Sequence, residues 1–298
     1  MSSAAGNQGS KWQRLRKKLL AGGLSGLLLG LLAAWIVGGI LCLPANHPVT
    51  APKDLPVESV TFPSTSGTTI HGWLLSATNS HGVIVLQHGV RADRSTLVDR
   101  AKLFSQAGYA VLLFDFQAHG ESRGNVITFG YLESRDAQAA VKYAKIRFPG
   151  QPVAVVGVSL GAAAAVLADP ALDVQALVLE MMYPDIVTAT KDRIEMRLGR
   201  PGRLLSPLLT CQIKLRTGCS PNELRPIDRV GKITVPKLFL AGTEDHDTKF
   251  AEAQEIFAHA AEPKQFVPFN GARHVDLYAL APDQYQKLVL EFLADHLK

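Results

Sequence analysis

The 298-residue chain reads as a doubly wound α/β domain on a largely parallel sheet, preceded by one apolar segment long enough to cross a bilayer. Three observations carry this. From about residue 57, short β-rich apolar runs alternate with longer stretches of helical periodicity. A serine flanked by glycines stands at one of the strand-to-helix junctions. Leu19 to Leu43 contain no charged residue.

The first two runs, Val57–Phe62 and Thr69–Leu75, are separated by a polar turn at Pro63–Gly67, which predicts an antiparallel pair. Val83–Gln87, Ala110–Phe116, Val153–Val158, Ala176–Glu180 and Lys237–Ala241 are compact and apolar throughout, as strands covered on both faces must be. Lys264–Phe269 is the expected last strand. Helical patterns fall near 93–107, 132–147, 160–169, 248–260 and 282–297. In the second of these, Ala137, Ala140, Val141 and Ala144 share one helix face. Alternation of this kind implies right-handed crossovers and helices on both sides of the sheet.

Residues 183–230 break the rhythm. They hold no strand pattern and mix arginines with Leu204, Leu205, Leu208, Leu209 and prolines. Lying between two sheet strands, they predict a helical cap inserted over the domain at residues 57–298.

The apolar segment 19–43 would extend ~37 Å as a helix, against ~30 Å of hydrocarbon. It is too long for the core of a cleaved signal peptide, and Leu43-Pro44-Ala45 is a poor cleavage site. The expectation is an uncleaved transmembrane anchor. The tail at 1–18 carries Lys11, Arg14, Arg16, Lys17 and Lys18 and no acidic residue, which predicts a cytoplasmic N-terminus with the domain on the opposite side. That side is periplasmic or extracellular in a bacterial cell. Residues 44–56 contain four prolines and read as an extended linker. Gly22, Gly26, Gly30, Ala34 and Gly38 form a stripe of small residues on one helix face, which either reflects only the frequency of glycine in membrane helices, the favoured reading, or lets two anchors pair as a homodimer.

Composition narrows the function. The chain has 31 basic and 26 acidic residues; without the five in the tail, 26 stand against 26. The domain is therefore neutral and nucleic acid is not an expected partner. Of three cysteines, Cys42 lies in the apolar run, while Cys211 and Cys219 are near enough in sequence to bond in an oxidising compartment or to remain free thiols. No clustered metal ligands are evident, and no metal or cofactor is expected.

Gly157-Val158-Ser159-Leu160-Gly161 is the most informative motif. It follows an apolar strand and opens an alanine-rich helix, the setting of a nucleophile elbow. Gly157 and Gly161 remove side chains that would collide across so tight a turn, and the Leu160 amide at the helix N-terminus is placed to receive an oxyanion. A serine hydroxyl needs a base, and the base an orienting acid. His274 follows the last strand and is the expected base. Asp245 follows strand Lys237–Ala241 and is the expected acid, with Asp247 and Glu180 as alternatives near strand ends. The Val90 amide, after His88-Gly89, is the expected second oxyanion donor; an ordinary strand-end turn is the alternative there. His119-Gly120 is expected to shape a loop beside the site.

Together Gln87-His88-Gly89, the Asp115–Ser122 run, GVSLG at 157–161, GTED at 242–245 and His274 resemble the α/β-hydrolase superfamily over residues 57–298. The likeness is nearest to its serine aminopeptidase-like and dienelactone-hydrolase-like branches. The resemblance implies a mostly parallel eight-stranded sheet, a Ser–Asp–His triad, no cofactor, and hydrolysis of an ester, thioester or amide through an acyl-enzyme. Two departures stand out. Gly161 is followed by Ala162 where many members have a second glycine, and serine stands at 159 where dienelactone hydrolases have cysteine.

The expected substrate is a small-molecule or lipid-like acyl ester. An anchor keeps the site near lipid, and a cap mixing leucine with arginine suits an amphiphile. A peptidase or amidase is the enzymatic alternative, to be marked by an acidic cluster for a substrate amine that 183–230 lack. A non-catalytic anchored binding scaffold is the third reading.

Overall fold

A computed structural model of the protein describes residues 5–77 and 79–298, with side chains from Trp12 onward. Residues 1–4 of the basic tail and the side chain of Lys11 lie outside the described residues. The apolar segment is the greater part of one helix, α1 (Ala5–Cys42), which runs back through the basic tail.

Eight strands form a single sheet: β1 (Glu58–Pro63), β2 (Thr69–Leu75), β3 (Val83–Gln87), β4 (Ala110–Phe114), β5 (Val153–Val158), β6 (Ala176–Glu180), β7 (Lys237–Gly242) and β8 (Lys264–Phe269). Their spatial order is β1-β2-β4-β3-β5-β6-β7-β8. β2 is antiparallel to both neighbours, pairing Val60 with Gly72 on one side and Leu74 with Leu112 on the other, and all later pairings are parallel. β4 ends two residues earlier than its apolar run. Beyond Phe114 the chain turns away, and the Phe116 N–H donates to the His88 ring rather than to a strand.

The strands bury both faces, with alternate residues on opposite sides. Val83, Val85, Leu112, Phe114 and Val155 belong to one core layer, with α3 (Tyr131–Arg147) and α4 (Leu160–Leu167) packed on it. Ile84, Leu86, Val111, Leu113 and Val156 face the other layer, against α2 (Val98–Gln106) and the C-terminal helix Pro282–His296. A period of two with apolar residues on both faces is what a doubly covered sheet demands.

Between β6 and β7 the expected cap consists of α5 (Ile186–Leu198), a 3-10 segment Arg200–Leu205, α6 (Ser206–Thr210) and α7 (Ile213–Thr217), followed by short turns. Asp185 starts α5 by accepting from the Val187 and Thr188 amides. Cys219 is buried and Cys211 exposed, and the two are not bonded.

The chain after α1 is held at its beginning. Ala45–Asn46 pair in parallel with His119–Gly120, the Ala45 N–H donates to the Ala118 carbonyl at 2.7 Å, and the Cys42 carbonyl accepts from Ile127 at 3.0 Å. The His119-Gly120 loop thus receives the segment leaving the helix.

Candidate active site

Ser159, His88-Gly89, Asp245 and His274 all follow strands at their C-terminal ends, so the sheet brings them to one edge. Ser159 is the junction of β5 and α4, with φ 52° and ψ −107°. That conformation is costly for a residue with a Cβ. It is enforced by its surroundings. The Ser159 N–H donates to the Glu180 carbonyl at 2.8 Å, and the Ser159 carbonyl accepts the first α4 bond from Ala163 at 3.0 Å. A Cβ on Gly161 would stand 2.3 Å from the Gln87 carbonyl oxygen, and one on Gly157 would stand 2.6 Å from the Ala162 nitrogen. Both glycines are therefore required by close approach.

The loop after β3 lies beside the serine: a Cβ on Gly89 would stand 3.8 Å from Ser159 Cβ. His88 sets its peptide plane. The Phe116 N–H donates to His88 Nε2 at 3.1 Å, so the ring proton is on Nδ1 and is donated to the Gly89 carbonyl at 2.7 Å. Burial, helped by the neighbouring His119, depresses the His88 pKa to about 3, so the ring is neutral. The Gly89 carbonyl also accepts from Ala92 at 3.3 Å. In a trans peptide the Val90 N–H points opposite to that carbonyl. It is thus turned away from the His88 ring.

His274 donates or accepts at Nδ1 with Asp245 Oδ2 at 2.7 Å. The Asp245 carboxylate is well furnished. Its Oδ1 accepts from the Asp247 and Thr248 amides at 2.8 and 2.9 Å, and its Oδ2 also accepts from Thr248 Oγ1 at 2.8 Å. Burial would raise the Asp245 pKa, but the bonds and charge of His274 and the Thr248 donors outweigh it and hold the carboxyl below its ordinary value. An ionised Asp245 makes His274 Nδ1 the donor and leaves Nε2 as the basic nitrogen. Among the described residues the hydrogen bonds of the His274 ring run to Asp245 and, at 3.5 Å, to Thr248, and none joins it to Ser159.

The other acidic candidates are engaged elsewhere. Asp247 pairs with Arg193 of the cap. Asp245, Asp247 and His274 are close enough to form a metal-like cluster, but the hydrogen bonds to Asp245 and the Arg193 pairing account for both carboxylates. Glu180 is buried and pairs with Arg100 at 2.8 Å, and the same guanidinium reaches Asp276 at 2.8 Å and Tyr285 at 3.2 Å. Asp276 caps the short helix that follows His274, accepting from the Tyr278 and Ala279 amides. Arg100 therefore ties the strand behind Ser159 to the loop that carries His274. Sequence reasoning missed Arg100, which sits in a polar stretch resembling an exposed helix face. It also missed Thr248 and Arg91. The Asp115 run serves structure, as expected: the Asp115 carboxylate pairs with Arg94 and accepts from the Glu121 amide.

Comparison with known proteins agrees with this architecture. Residues 78–181 match the family described as serine aminopeptidase, S33. The chain is 26% identical over 238 residues to the uncharacterised YqkD protein of Bacillus subtilis, covering 78% of this chain and 77% of that one. It is 27% identical over 237 residues to lysophosphatidylserine lipase ABHD12 of Macaca fascicularis, covering 72% of this chain and 56% of the lipase. Among solved structures, the Pyrococcus furiosus esterase Pf2001 superposes with a TM-score of 0.69 at 22% identity, covering 86% of this chain and 99% of the esterase. The chain has the α/β-hydrolase fold.

Proposed function

We propose that the protein is a serine hydrolase that cleaves carboxylic esters through an acyl-enzyme, held in a membrane by residues 19–43. The observation that carries the reading is the 2.7 Å bond between His274 and Asp245 at the sheet edge where Ser159 sits in its strained turn. Asp245 orients the imidazole and stabilises its charge. His274 Nε2 takes the Ser159 proton as Oγ bonds to the ester carbonyl carbon. The Leu160 and Val90 amides hold the resulting oxyanion. The C–O bond to the alcohol then breaks, and the alcohol leaves with the proton from His274. Water, deprotonated by His274, releases the acid and restores Ser159. Catalytic hydrogen bonds are often long in free enzymes and tighten with substrate.

The names of two relatives, an esterase and a lysophosphatidylserine lipase, support an ester substrate. The peptidase reading draws on the family description. It is less favoured, because the cap region 183–230 has nine basic residues against five acidic ones to meet a substrate amine. For the anchor, α1 is long and apolar enough to span, and its basic start favours a cytoplasmic N-terminus.

The test is labelling of full-length protein in detergent with a fluorophosphonate, wild type beside Ser159→Ala and His274→Ala. Labelling of the wild type alone, with ester turnover falling by about 10³-fold or more in both variants, is expected. Equal labelling of Ser159→Ala would remove the assignment.

A further inference from the structure

Counting from Leu19, the first residue past the basic run, about 20 helical residues exhaust the hydrocarbon near position 38. Trp35 lies within one turn of that point, and tryptophan concentrates where membrane meets water. The far boundary thus falls at residues 35–38.

The cap is fastened to the helix at that level. Gln212 Nε2 donates to the Ala34 carbonyl at 3.1 Å. Arg216 donates to the Trp35 carbonyl, and its guanidinium stacks over the Trp35 ring at 4.1 Å. Gly38 admits this contact, since a Cβ there would stand 2.4 Å from Gln212 Oε1, whereas Gly22, Gly26 and Gly30 face open space. The small-residue stripe is thus used at its far end within the chain, to seat α6 and α7.

The cap elements around this seat leave large apolar side chains uncovered: Leu198 at 61%, Leu204 at 83% and Leu215 at 75% exposure. Basic residues intersperse them, as on interfacial helices whose leucines enter the acyl boundary while lysine and arginine reach lipid phosphates. The cap is also latched beside the candidate site through α5, the helix that ends at Leu198. Lys249 pairs with Asp192 at 2.7 Å and Glu195 at 2.8 Å, and Arg193 pairs with Asp247, two residues from Asp245.

We infer that the outer edge of the cap, from Leu198 to Leu215, is a bilayer-seating surface. Its leucines enter the leaflet beside Trp35, and the cap joins that leaflet to the site, so the ester is an acyl lipid drawn from the same leaflet. This rests on the reading of α1 as a membrane span.

Depth-dependent quenching tests it. Full-length protein carrying Cys211→Ser receives Leu28→Cys, Leu204→Cys, Leu215→Cys or Ile146→Cys, each labelled with NBD. Ile146 is an exposed position on α3, outside the cap. The proteins are reconstituted in phosphatidylcholine–phosphatidylglycerol vesicles with nitroxide on the acyl chains. Labels at 28, 204 and 215 should lose about half their emission or more, and the label at 146 should not. Quenching at 28 without quenching at 204 and 215 would overturn the cap seat and leave the anchor standing. No quenching at 28 would overturn both. A label at 215 shielded from aqueous iodide but untouched by nitroxide lipid would report contact with a second copy of the chain, and would also overturn the proposal.

Discussion

Arg91 Nη2 donates to the Ile40 carbonyl at 2.5 Å and reaches the Leu41 and Leu43 carbonyls at 3.3 Å. These carbonyls lie at and just past the C-terminal end of α1, where the helix dipole favours a cation; Ile40's also accepts from the Leu43 amide at 3.2 Å. Arg91 also directly follows Val90, the proposed oxyanion donor. The end of the apolar helix and the floor of the site thus meet in one side chain.

Arg91→Ala should therefore act on the reaction, not only on stability. In full-length protein, kcat for a short soluble ester should fall about tenfold, equivalent to about 1.4 kcal/mol of transition-state stabilisation, with KM little changed. Steady-state kinetics in detergent would check it. An unchanged kcat would mean that the oxyanion loop stands without the helix.

The strained backbone of Ser159 predicts an asymmetry between two inactive variants. Ser159→Gly should be more stable than Ser159→Ala by about 1 kcal/mol, because glycine accepts positive φ without a Cβ clash. Urea denaturation of the pair measures the difference. Equal midpoints would show that the turn costs the fold nothing.

Acid should act through His88. Its pKa is about 3 in the fold against 6.5 when exposed, so between those values the unfolded chain binds a proton that the folded chain refuses. Stability from this group is complete above pH 6.5 and is lost as pH falls toward 3. Relative to His88→Gln, the wild type should lose about 1.4 kcal/mol per pH unit below about pH 6. Denaturation of both proteins from pH 7 to 4.5 gives the slope, and parallel curves would contradict the neutral, buried imidazole.

How much of this was legible in the sequence follows from where each signal lies. The β3 run VIVLQ and its parallel neighbours were readable because strands buried on both faces must be apolar throughout. Ser159 was readable because its two glycines follow a fixed spacing, Gly157 demanded by Gly161 and Ala162 in the same turn and Gly161 by Gln87 on the adjoining strand. The loop residues Asp245 and Asp247 stand two apart in the same short turn. Only the conformation that gives the Asp247 and Thr248 amides to Asp245 Oδ1 separates them. Arg91 and Arg100 left no trace. Arg91 binds backbone carbonyls some fifty residues away, which any sequence would supply. Arg100 lies in VDRAKLFSQ, a stretch whose polarity suggests an exposed helix, yet it is buried by partners from three distant segments. Residues 44–56 read as an extended linker from their prolines, and the main-chain bonds that hold the first of them are not encoded in side-chain pattern.

All eight residues of α4 are buried, and four successive alanines, Ala162 to Ala165, fill the space between the sheet and α3. No side chain there can grow without displacing a strand, and none can shrink further except to glycine. The wall behind Ser159 is therefore closed to adaptation. Divergence among descendants of this chain, and any laboratory selection for a new acyl group, must write its changes into the cap and the strand-end loops, while the alanine helix passes through unaltered.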